Sequence, residues 1–178
     1  NYSTAEIQAV LQDVTLKKEA ESKIYHLSYH DKLTDLDNRA YFDETLEKMS
    51  QSGDFPYSLI MGDMNGLKST NDMYGHKAGD KLIQTMAEIL IKSCRKSDII
   101  ARIGGDEFAI ILPNCSNKEA RNICGRIKRM CELYEDDEIK PDISLGYSTK
   151  ENHEMTNDDL ILEADRKMYL DKANILKI

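Results

Sequence analysis

Apolar positions along the chain return with two different periods, and their order predicts a mixed α+β fold. Spacings of three and four residues predict helices, which cover 38–53, 78–92, 117–134 and the residues after Thr156. Short apolar runs predict strands, which cover 57–61, 142–148 and the two flanks of Gly104 and Gly105. The inner β-α-β-β-α-β order is typical of a ferredoxin-like core, here an α/β two-layer sandwich with one mainly antiparallel sheet.

Each predicted helix has an apolar face that can be buried against this sheet. A helix that begins near Asn38 would end at Gly53, since glycine commonly closes helices. The residues expected to face the core are Phe42, Leu46, Met49, Leu82, Ile83, Met86, Ile89, Leu90, Ala120, Ile123, Cys124, Ile127, Met130, Cys131, Leu160, Ile161, Ala164, Met168 and Tyr169.

The N-terminal residues predict two further elements. Residues 6–14 have the pattern of a strand, and Thr15 is a suitable N-cap for a helix that runs to about Tyr29. The apolar stripe of this helix consists of Leu16, Ala20, Ile24 and Leu27. The stripe suits a short two-helix coiled coil, and a helix packed on its own domain is the alternative.

Composition and charge narrow the class of protein. The chain has 178 residues, 40% of them hydrophobic, which fits one globular domain with some additional sequence. No apolar run is long enough for a membrane span, and no secretory leader opens the chain. A net charge of −8 argues against a broad nucleic-acid surface, although carboxylates that hold divalent cations can still bind nucleotides. Because the chain starts with Asn1 rather than methionine, we expect it to be part of a longer protein.

The cysteines indicate a reducing environment. The sequence has four, at Cys94, Cys115, Cys124 and Cys131, and they form no C-x-x-C pair and no Cys/His ligand spacing. Cys124 and Cys131 share one face of a predicted helix. Reduced thiols in the core of a cytosolic protein are therefore favoured over a disulfide or zinc framework.

Three acidic residues stand at strand ends of the predicted sheet. Asp63 follows the first core strand, and Asp106 and Glu107 follow the glycines of the hairpin. Because the first strand and the hairpin strand are commonly neighbours in this fold, we expect the carboxylates to converge. Converging carboxylates repel each other unless a cation lies between them, and oxygen ligands favour Mg²⁺ or Mn²⁺. Since Mg²⁺ often takes phosphate oxygens as ligands, a nucleotide site is indicated, and solvated turn residues are the alternative.

Several polar residues could serve such a site, and each also has a simpler interpretation. Asn71 and Asp80 could hydrogen-bond the edge of guanine, or belong to a polar turn and helix cap. Lys68 and Lys172 could neutralise phosphates, or be solvated surface lysines.

Taken together, these residues match a family. The chain resembles the GGDEF domain of diguanylate cyclases over about residues 31–172. The matching motifs occur in the family's order: DKLTDLDNRAYF (31–42), DMNGLKSTNDMYGHKAGD (63–80), RIGGDEF (102–108), ISLGYS (143–148) and ADRKMYLDK (164–172). The resemblance implies the nucleotide-cyclase palm type of the ferredoxin-like fold.

The resemblance implies two Mg²⁺ or Mn²⁺ ions for each GTP site. Asp63 and Asp106 would ligate them through their carboxylates, and Met64 through its carbonyl oxygen. Glu107 would support the second ion or help to deprotonate the nucleophile. These acids, Asp63, Asp106 and Glu107, are the implied catalytic residues.

The resemblance also implies how GTP and the product bind. Asn71 and Asp80 would read guanine, and the glycines at 104 and 105 would let the phosphates approach the backbone. Arg95 and Asp98 occupy the family's R-x-x-D inhibitory position, where cyclic di-GMP would bind as a feedback inhibitor. The full implied GTP-binding set is Asn71, Asp80, Lys68, Gly104, Gly105, Lys172, Leu67 and His76.

The implied reaction condenses two GTP into cyclic di-GMP and releases two pyrophosphates. Each domain would hold one GTP, so two domains would face each other in a homodimer. Residues 1–15 are similar to the end of a PAS sensor domain, 16–30 would be a connecting signalling helix, and 31–178 the cyclase domain. The expected location is cytoplasmic, either free or as the cytoplasmic part of a membrane-anchored bacterial sensor.

The sequence departs from the family pattern at three positions. Asp35 replaces a common glycine, Asn65 replaces an acidic residue, and Leu176 stands where an arginine often binds phosphate, with Lys177 as a substitute candidate. Two alternatives to an active cyclase follow. One is a degenerate domain that binds GTP or cyclic di-GMP and regulates a partner, and the other is a structural dimerisation module.

Overall fold

The computed structural model describes residues 23–135 and 139–175 together with Lys18. The helices are α1 (23–29), α2 (Arg39–Ser52), α3 (Leu67–Tyr74), α4 (His76–Ser93), α5 (Asn117–Glu132) and α6 (Asn157–Ile175). The strands are β1 (Asp37–Asn38), β2 (Tyr57–Met64), β3 (Ile99–Arg102), β4 (Glu107–Leu112) and β5 (Ile143–Lys150).

The strands form one five-stranded sheet in the order β1-β3-β4-β2-β5. Every neighbouring pair is antiparallel except β1 with β3. The mixed α+β class and the ferredoxin-like order of β2 to β5 are confirmed. The two-residue strand β1 was not predicted, and it extends the sheet beside β3.

Helices cover both faces of the sheet, so a second helical layer joins the predicted two-layer sandwich. Alternation along β2 sends Ile60 and Met64 towards α4 and α5, and Leu59 and Met61 towards α2 and α6. Because both faces are buried, β2 is an almost continuous apolar run that ends at Asp63 and Met64.

Local signals fix the helix ends as the sequence predicts. The side chain of Asn38 accepts a hydrogen bond from the Tyr41 amide at the start of α2, and Gly53 ends the helix in the left-handed region at φ 73°. Thr156 and Asp159 cap α6 reciprocally, which matches the expected cap.

Two expectations for the core need correction. Helix α3 was not predicted, because its sequence is polar and Thr70 is its one buried residue. Tyr169 was expected to face the core, but it is 62% exposed, since it lies one position past Met168 on the outer side of α6. The other residues expected to face the core are buried or partly buried against the two core clusters.

The N-terminal predictions are only partly covered. The predicted strand over 6–14 and the residues Leu16 and Ala20 lie outside the described residues. Ile24 and Leu27 are in α1 and are 63% and 57% exposed, so a coiled-coil seam stays a prediction. None of the helices in the described ranges is long and apolar enough to cross a membrane.

The four cysteines are free, and three of them are buried, as expected. Burial raises the pKa of the thiols of Cys94, Cys124 and Cys131 to about 12. Their thiolate fraction at neutral pH is therefore small, which makes them inert core residues.

Candidate functional site

Strands β2 and β4 end together and bring the three predicted acids to one edge of the sheet. Asp63 is the register partner of Glu107, and the Met64 amide donates to the Asp106 carbonyl oxygen at 2.9 Å. The adjacency expected for these strands is confirmed. We call Asp63, Asp106 and Glu107 the acidic edge.

Lys172 of α6 supplies a positive charge to the acidic edge. Its Nζ lies 2.5 Å from Oδ1 of Asp63, which is a buried carboxylate. The hydrogen bond to Asp63 raises the pKa of Lys172 above its ordinary value, and the negative charge of Asp106 acts in the same direction. Lys172 therefore stays protonated, and its single positive charge pairs with Asp63 and also attracts the carboxylate of Asp106.

The side chain of Glu107 lies against Gly104 of the hairpin turn. A Cβ atom on Gly104 would lie 2.5 Å from Oε2 of Glu107, so the glutamate side chain folds over Gly104. Among the described residues, the acidic edge does not form a trio whose carboxylate oxygens all lie within 4.8 Å of one another. In contrast, a Cβ on Gly105 would meet nothing within 4 Å, which leaves the tip of the hairpin open.

Arg102 holds the turn of the hairpin in place. It donates from Nε and Nη2 to the Gly105 carbonyl oxygen at 3.2 and 2.8 Å, and from Nη1 to Oδ1 of Asp31 at 3.0 Å. Burial by itself would raise the pKa of Asp31, but hydrogen bonds from Thr34 and Arg102 outweigh it and lower the pKa below its ordinary value. This pair was not predicted from the sequence, because it joins two motifs 71 positions apart.

The residues predicted to read guanine lie where α3 meets α4. A Cβ on Gly79 would stand 2.0 Å from Oδ1 of Asn71, so only a glycine leaves room for this amide. Asp80 follows Gly79 on α4 and is exposed. Leu67 packs against the core at the start of α3, whereas Lys68 and His76 are exposed at the first turns of α3 and α4.

Close packing of α6 on β5 positions Lys172. A Cβ on Gly146 would lie 2.1 Å from the Ala164 carbonyl oxygen and 2.2 Å from the Met168 amide nitrogen. Next to Lys172, the carboxylate of Asp171 accepts hydrogen bonds from the Leu145 amide at 2.9 Å and from Lys128 at 2.5 Å. The glycine of the ISLGYS motif therefore acts by letting helix and strand backbones touch.

Comparison with known proteins identifies the arrangement. The family model described as "Diguanylate cyclase, GGDEF domain" matches residues 28–175. The chain belongs to the GGDEF family. The resemblance drawn from the sequence motifs is thereby confirmed, and the GGDEF domain occupies nearly all of the described residues.

Curated relatives of this GGDEF domain include longer proteins. It is 38% identical to the probable diguanylate cyclase DgcE of Escherichia coli over 121 residues, which are 66% of this chain and 11% of that protein. It is 31% identical to the diguanylate cyclase TpbB of Pseudomonas aeruginosa over 173 residues, 93% of this chain and 38% of that protein. The chain thus corresponds to one part of each relative.

A solved structure shows the same fold. The coiled coil and GGDEF domain of DgcB from Caulobacter crescentus, in complex with c-di-GMP, superposes with a TM-score of 0.85 at 22% identity, covering 96% of this chain and 94% of that one. At this identity the likeness supports the fold alone.

The R-x-x-D position of the GGDEF domain forms the turn between α4 and β3. The Arg95 amide donates to Oδ2 of Asp98 at 2.7 Å, and the Asp98 amide donates to the Arg95 carbonyl oxygen at 3.0 Å. The Arg95 guanidinium extends to Oε1 of Glu119 at 3.5 Å. The arginine head is exposed, and the turn fixes where it emerges.

Two of the three departures from the family pattern have a structural explanation. Asp35 has φ 61°, in the left-handed region where glycine is favoured and aspartate is tolerated. Asn65 donates to Oδ2 of Asp142 at 2.9 Å and accepts from Ser144 at 3.0 Å, so its amide ties the end of β2 to β5. Leu176 and Lys177 lie outside the described residues.

Proposed function

We propose that this GGDEF domain is an active diguanylate cyclase that condenses two GTP into cyclic di-GMP and releases pyrophosphate. The observation that carries the proposal is the acidic edge with Lys172 hydrogen-bonded to Asp63. A structural module has no need for three acids at one strand edge, with an open glycine turn beside them. This edge instead suits a substrate that arrives with negatively charged phosphates and divalent cations.

The acidic edge fits Mg²⁺ or Mn²⁺ as the cofactor. Asp63 and Asp106 offer carboxylate oxygens, and both already act on the ammonium group of Lys172. Asp63 and Asp106 would hold the ions together with the Met64 carbonyl, and Glu107 would complete the site after swinging away from Gly104. Bound divalent ions would neutralise the triphosphate and lower the pKa of the attacking hydroxyl.

The remaining residues would bind and orient GTP. Asn71 and Asp80 would hydrogen-bond guanine, since Gly79, next to Asp80 in the chain, gives the Asn71 amide room. Lys172 would transfer its ion pair from Asp63 to the β- and γ-phosphates, with Lys68 at the start of α3 as a second cation. The open turn at Gly105 would admit the phosphates, and Glu107 would accept the proton of the 3′-hydroxyl.

Turnover would require two copies of the domain. Each copy would present one GTP, and the two 3′-hydroxyls would attack across the interface, which makes positioning the main catalytic contribution. Helix α1, with exposed Ile24 and Leu27, would pair with its copy and pass on the signal of an upstream sensor. Arg95 and Asp98 would bind the product as a feedback inhibitor.

Turnover is tested by incubating the chain with GTP and Mg²⁺ and detecting pyrophosphate and cyclic di-GMP. Asp106→Asn, which keeps the size of the side chain, should reduce product formation by at least about 100-fold. The matched control is Asp54→Asn, an exposed acid in the loop after α2, which should leave the rate unchanged.

The alternative to turnover is a GTP- or cyclic di-GMP-binding regulator. GTP binding by the unchanged chain without any product would contradict the proposal and favour that alternative. Feedback is tested separately with Arg95→Ala, which should abolish inhibition by added cyclic di-GMP while the initial rate is kept.

A further inference from the structure

Two histidines and an aspartate meet where α1 enters the domain, away from the acidic edge. Nε2 of His26 lies 3.1 Å from Oδ1 of Asp35, and the rings of His26 and His30 are 4.3 Å apart between centroids. One ligand atom from each of the three residues lies within 4.8 Å of the others. Across the described residues, no other trio of histidine, cysteine or acidic side chains is this close.

The backbone holds these three side chains in a preorganised arrangement. His26 and His30 are four residues apart, so they lie on the same face one turn apart, and the His30 amide donates to the His26 carbonyl at 2.9 Å. Two backbone hydrogen bonds close the following turn. The Asp31 amide donates to the Leu36 carbonyl oxygen at 2.8 Å, and the Asp35 amide donates to the Asp31 carbonyl oxygen at 2.9 Å. Asp35 is held in the left-handed region, and its carboxylate points to the histidines.

Further contacts orient His30. Its Nδ1 lies 3.1 Å from the Asp35 carbonyl oxygen and 3.9 Å from Oδ1 of Asp37. In the tautomer with the proton on Nδ1, the ring donates to this carbonyl and keeps the lone pair of Nε2 free. A backbone carbonyl in this role is the usual partner of a metal-ligating histidine.

The geometry points to a transition-metal site: we propose that His26, His30 and Asp35 bind one Zn²⁺-like ion that fastens α1 to the turn before β1. Two imidazoles with one carboxylate suit Zn²⁺, Co²⁺ or Ni²⁺ and not Mg²⁺, which prefers oxygen alone. Tetrahedral zinc brings its ligand atoms to about 3.3 Å from one another. The side chains of His26 and Asp35 are 53% and 81% exposed, so both can rotate until their ligand atoms reach this spacing.

The site would not compete with the acidic edge for its ion. It takes a borderline-soft ion through nitrogen, whereas the acidic edge takes a hard ion through oxygen. Asp35, one of the three positions that depart from the family pattern, supplies the carboxylate. Since α1 leads towards the N-terminal part of the chain, bound metal would stiffen the connection through which that part acts on the domain.

The full chain titrated with Co²⁺ in the presence of excess Mg²⁺ tests the site. We expect one equivalent of Co²⁺ to bind, with the strong visible absorption of four- or five-coordinate cobalt that Zn²⁺ then abolishes. Cobalt on oxygen ligands alone would remain six-coordinate and absorb weakly, and cobalt on the cysteines would add an intense thiolate charge-transfer band. Either of these spectra would overturn the proposal.

Variants identify the ligands. Asp35→Gly removes the carboxylate at a position whose φ suits glycine, so the fold is kept, and His26→Gln removes one imidazole. Each should weaken Co²⁺ binding by more than about 100-fold, beyond the effect usual for residues that only orient ligands. His153→Gln, which removes a histidine at the opposite end of α2, should bind like the unchanged chain. Undiminished binding by Asp35→Gly or by His26→Gln would refute the assignment.

Discussion

Replacing Gly146 by alanine tests how tightly α6 must dock to position Lys172. The new Cβ would lie 2.1 Å from a carbonyl oxygen and 2.2 Å from an amide nitrogen of α6, whereas real Cβ contacts are essentially never below 3.0 Å. Both neighbours are helix backbone atoms, so no side-chain rotation relieves the overlap. The helix must retreat from the strand by roughly 1 Å, and Lys172 moves with it.

The expected loss of stability comes from two opposing contributions. Overpacking of this kind costs about 1–3 kcal/mol, and the upper end applies because rigid backbone is involved. Alanine also lowers the conformational entropy of the unfolded chain, which raises the free energy of unfolding by about 0.4–1 kcal/mol. We therefore expect Gly146→Ala to lower the free energy of unfolding by about 2 kcal/mol. A displacement of about 1 Å at Lys172 should also slow cyclic di-GMP formation by about 100-fold.

Gly125→Ala is the matched control. Gly125 lies in α5, and a Cβ there would meet nothing within 4 Å. The same chemical change in an open helical position should stabilise the protein by about 0.5–1 kcal/mol and leave turnover unchanged. Because both variants gain the same unfolded-state contribution, the difference between them isolates the overlap at Gly146.

Urea unfolding followed by circular dichroism measures both variants. With a slope of about 2 kcal/mol per molar urea, the two midpoints should differ by more than about 1 M, in opposite directions from the unchanged chain. A Gly146→Ala midpoint equal to that of Gly125→Ala would refute the reasoning. So would a destabilised Gly146→Ala that keeps its full rate, because Lys172 would then not depend on this contact.

Three further predictions concern the hairpin, one half-buried acid and the thiols. Arg102→Lys should lower the free energy of unfolding at pH 7 by about 1–3 kcal/mol, because lysine cannot reach both Asp31 and the turn. The pKa of Asp31 is lowered in the folded state, so the stabilisation that its ionised carboxylate gives is complete above its ordinary pKa and is lost as pH falls through the folded value. Urea unfolding near pH 2 should therefore show a smaller difference in stability between Arg102→Lys and the unchanged chain. Burial raises the pKa of Asp165, so ionisation of this carboxyl destabilises the folded state as pH rises. Asp165→Asn should therefore have a higher melting temperature than the unchanged chain at pH 7, and this difference should vanish below about pH 4. Since burial raises the pKa of three thiols to about 12, Ellman's reagent should label the native protein at pH 8 far more slowly than the urea-unfolded chain, and equal rates would contradict their burial.

Elements with a strong apolar period could be predicted, and those without one could not. The helix from Asn38 to Gly53 and the hairpin around Gly104 and Gly105 lie where the pattern placed them, because burial and local caps agree there. Helix α3 is short and mostly polar, and it forms because it packs against α4 rather than because of an apolar stripe. Strand β1 has two residues, and no periodicity can appear over that length.

The acidic edge could be predicted from topology, but the contacts that support it could not. Strand order alone makes β2 and β4 neighbours, and the register then places Asp63 opposite Glu107. By contrast, the pairing of Arg102 with Asp31 depends on how the turn after α1 folds against the hairpin, which no local pattern encodes. The glycines were visible as motif positions, and their roles as contact points for Asn71 and α6 emerge only in three dimensions.

The bond from Arg102 to Asp31 determines how this domain can be cut and transplanted. The carboxylate that secures the glycine turn comes from the segment just after α1, so a version trimmed to start after Asp31 would leave the guanidinium with one partner. A chimera that joins this domain to a foreign receptor should therefore place its junction within α1 or earlier. Junctions in the 31–37 segment would alter the hairpin itself. An inactive chimera with such a junction would therefore not show whether the receptor can control the domain.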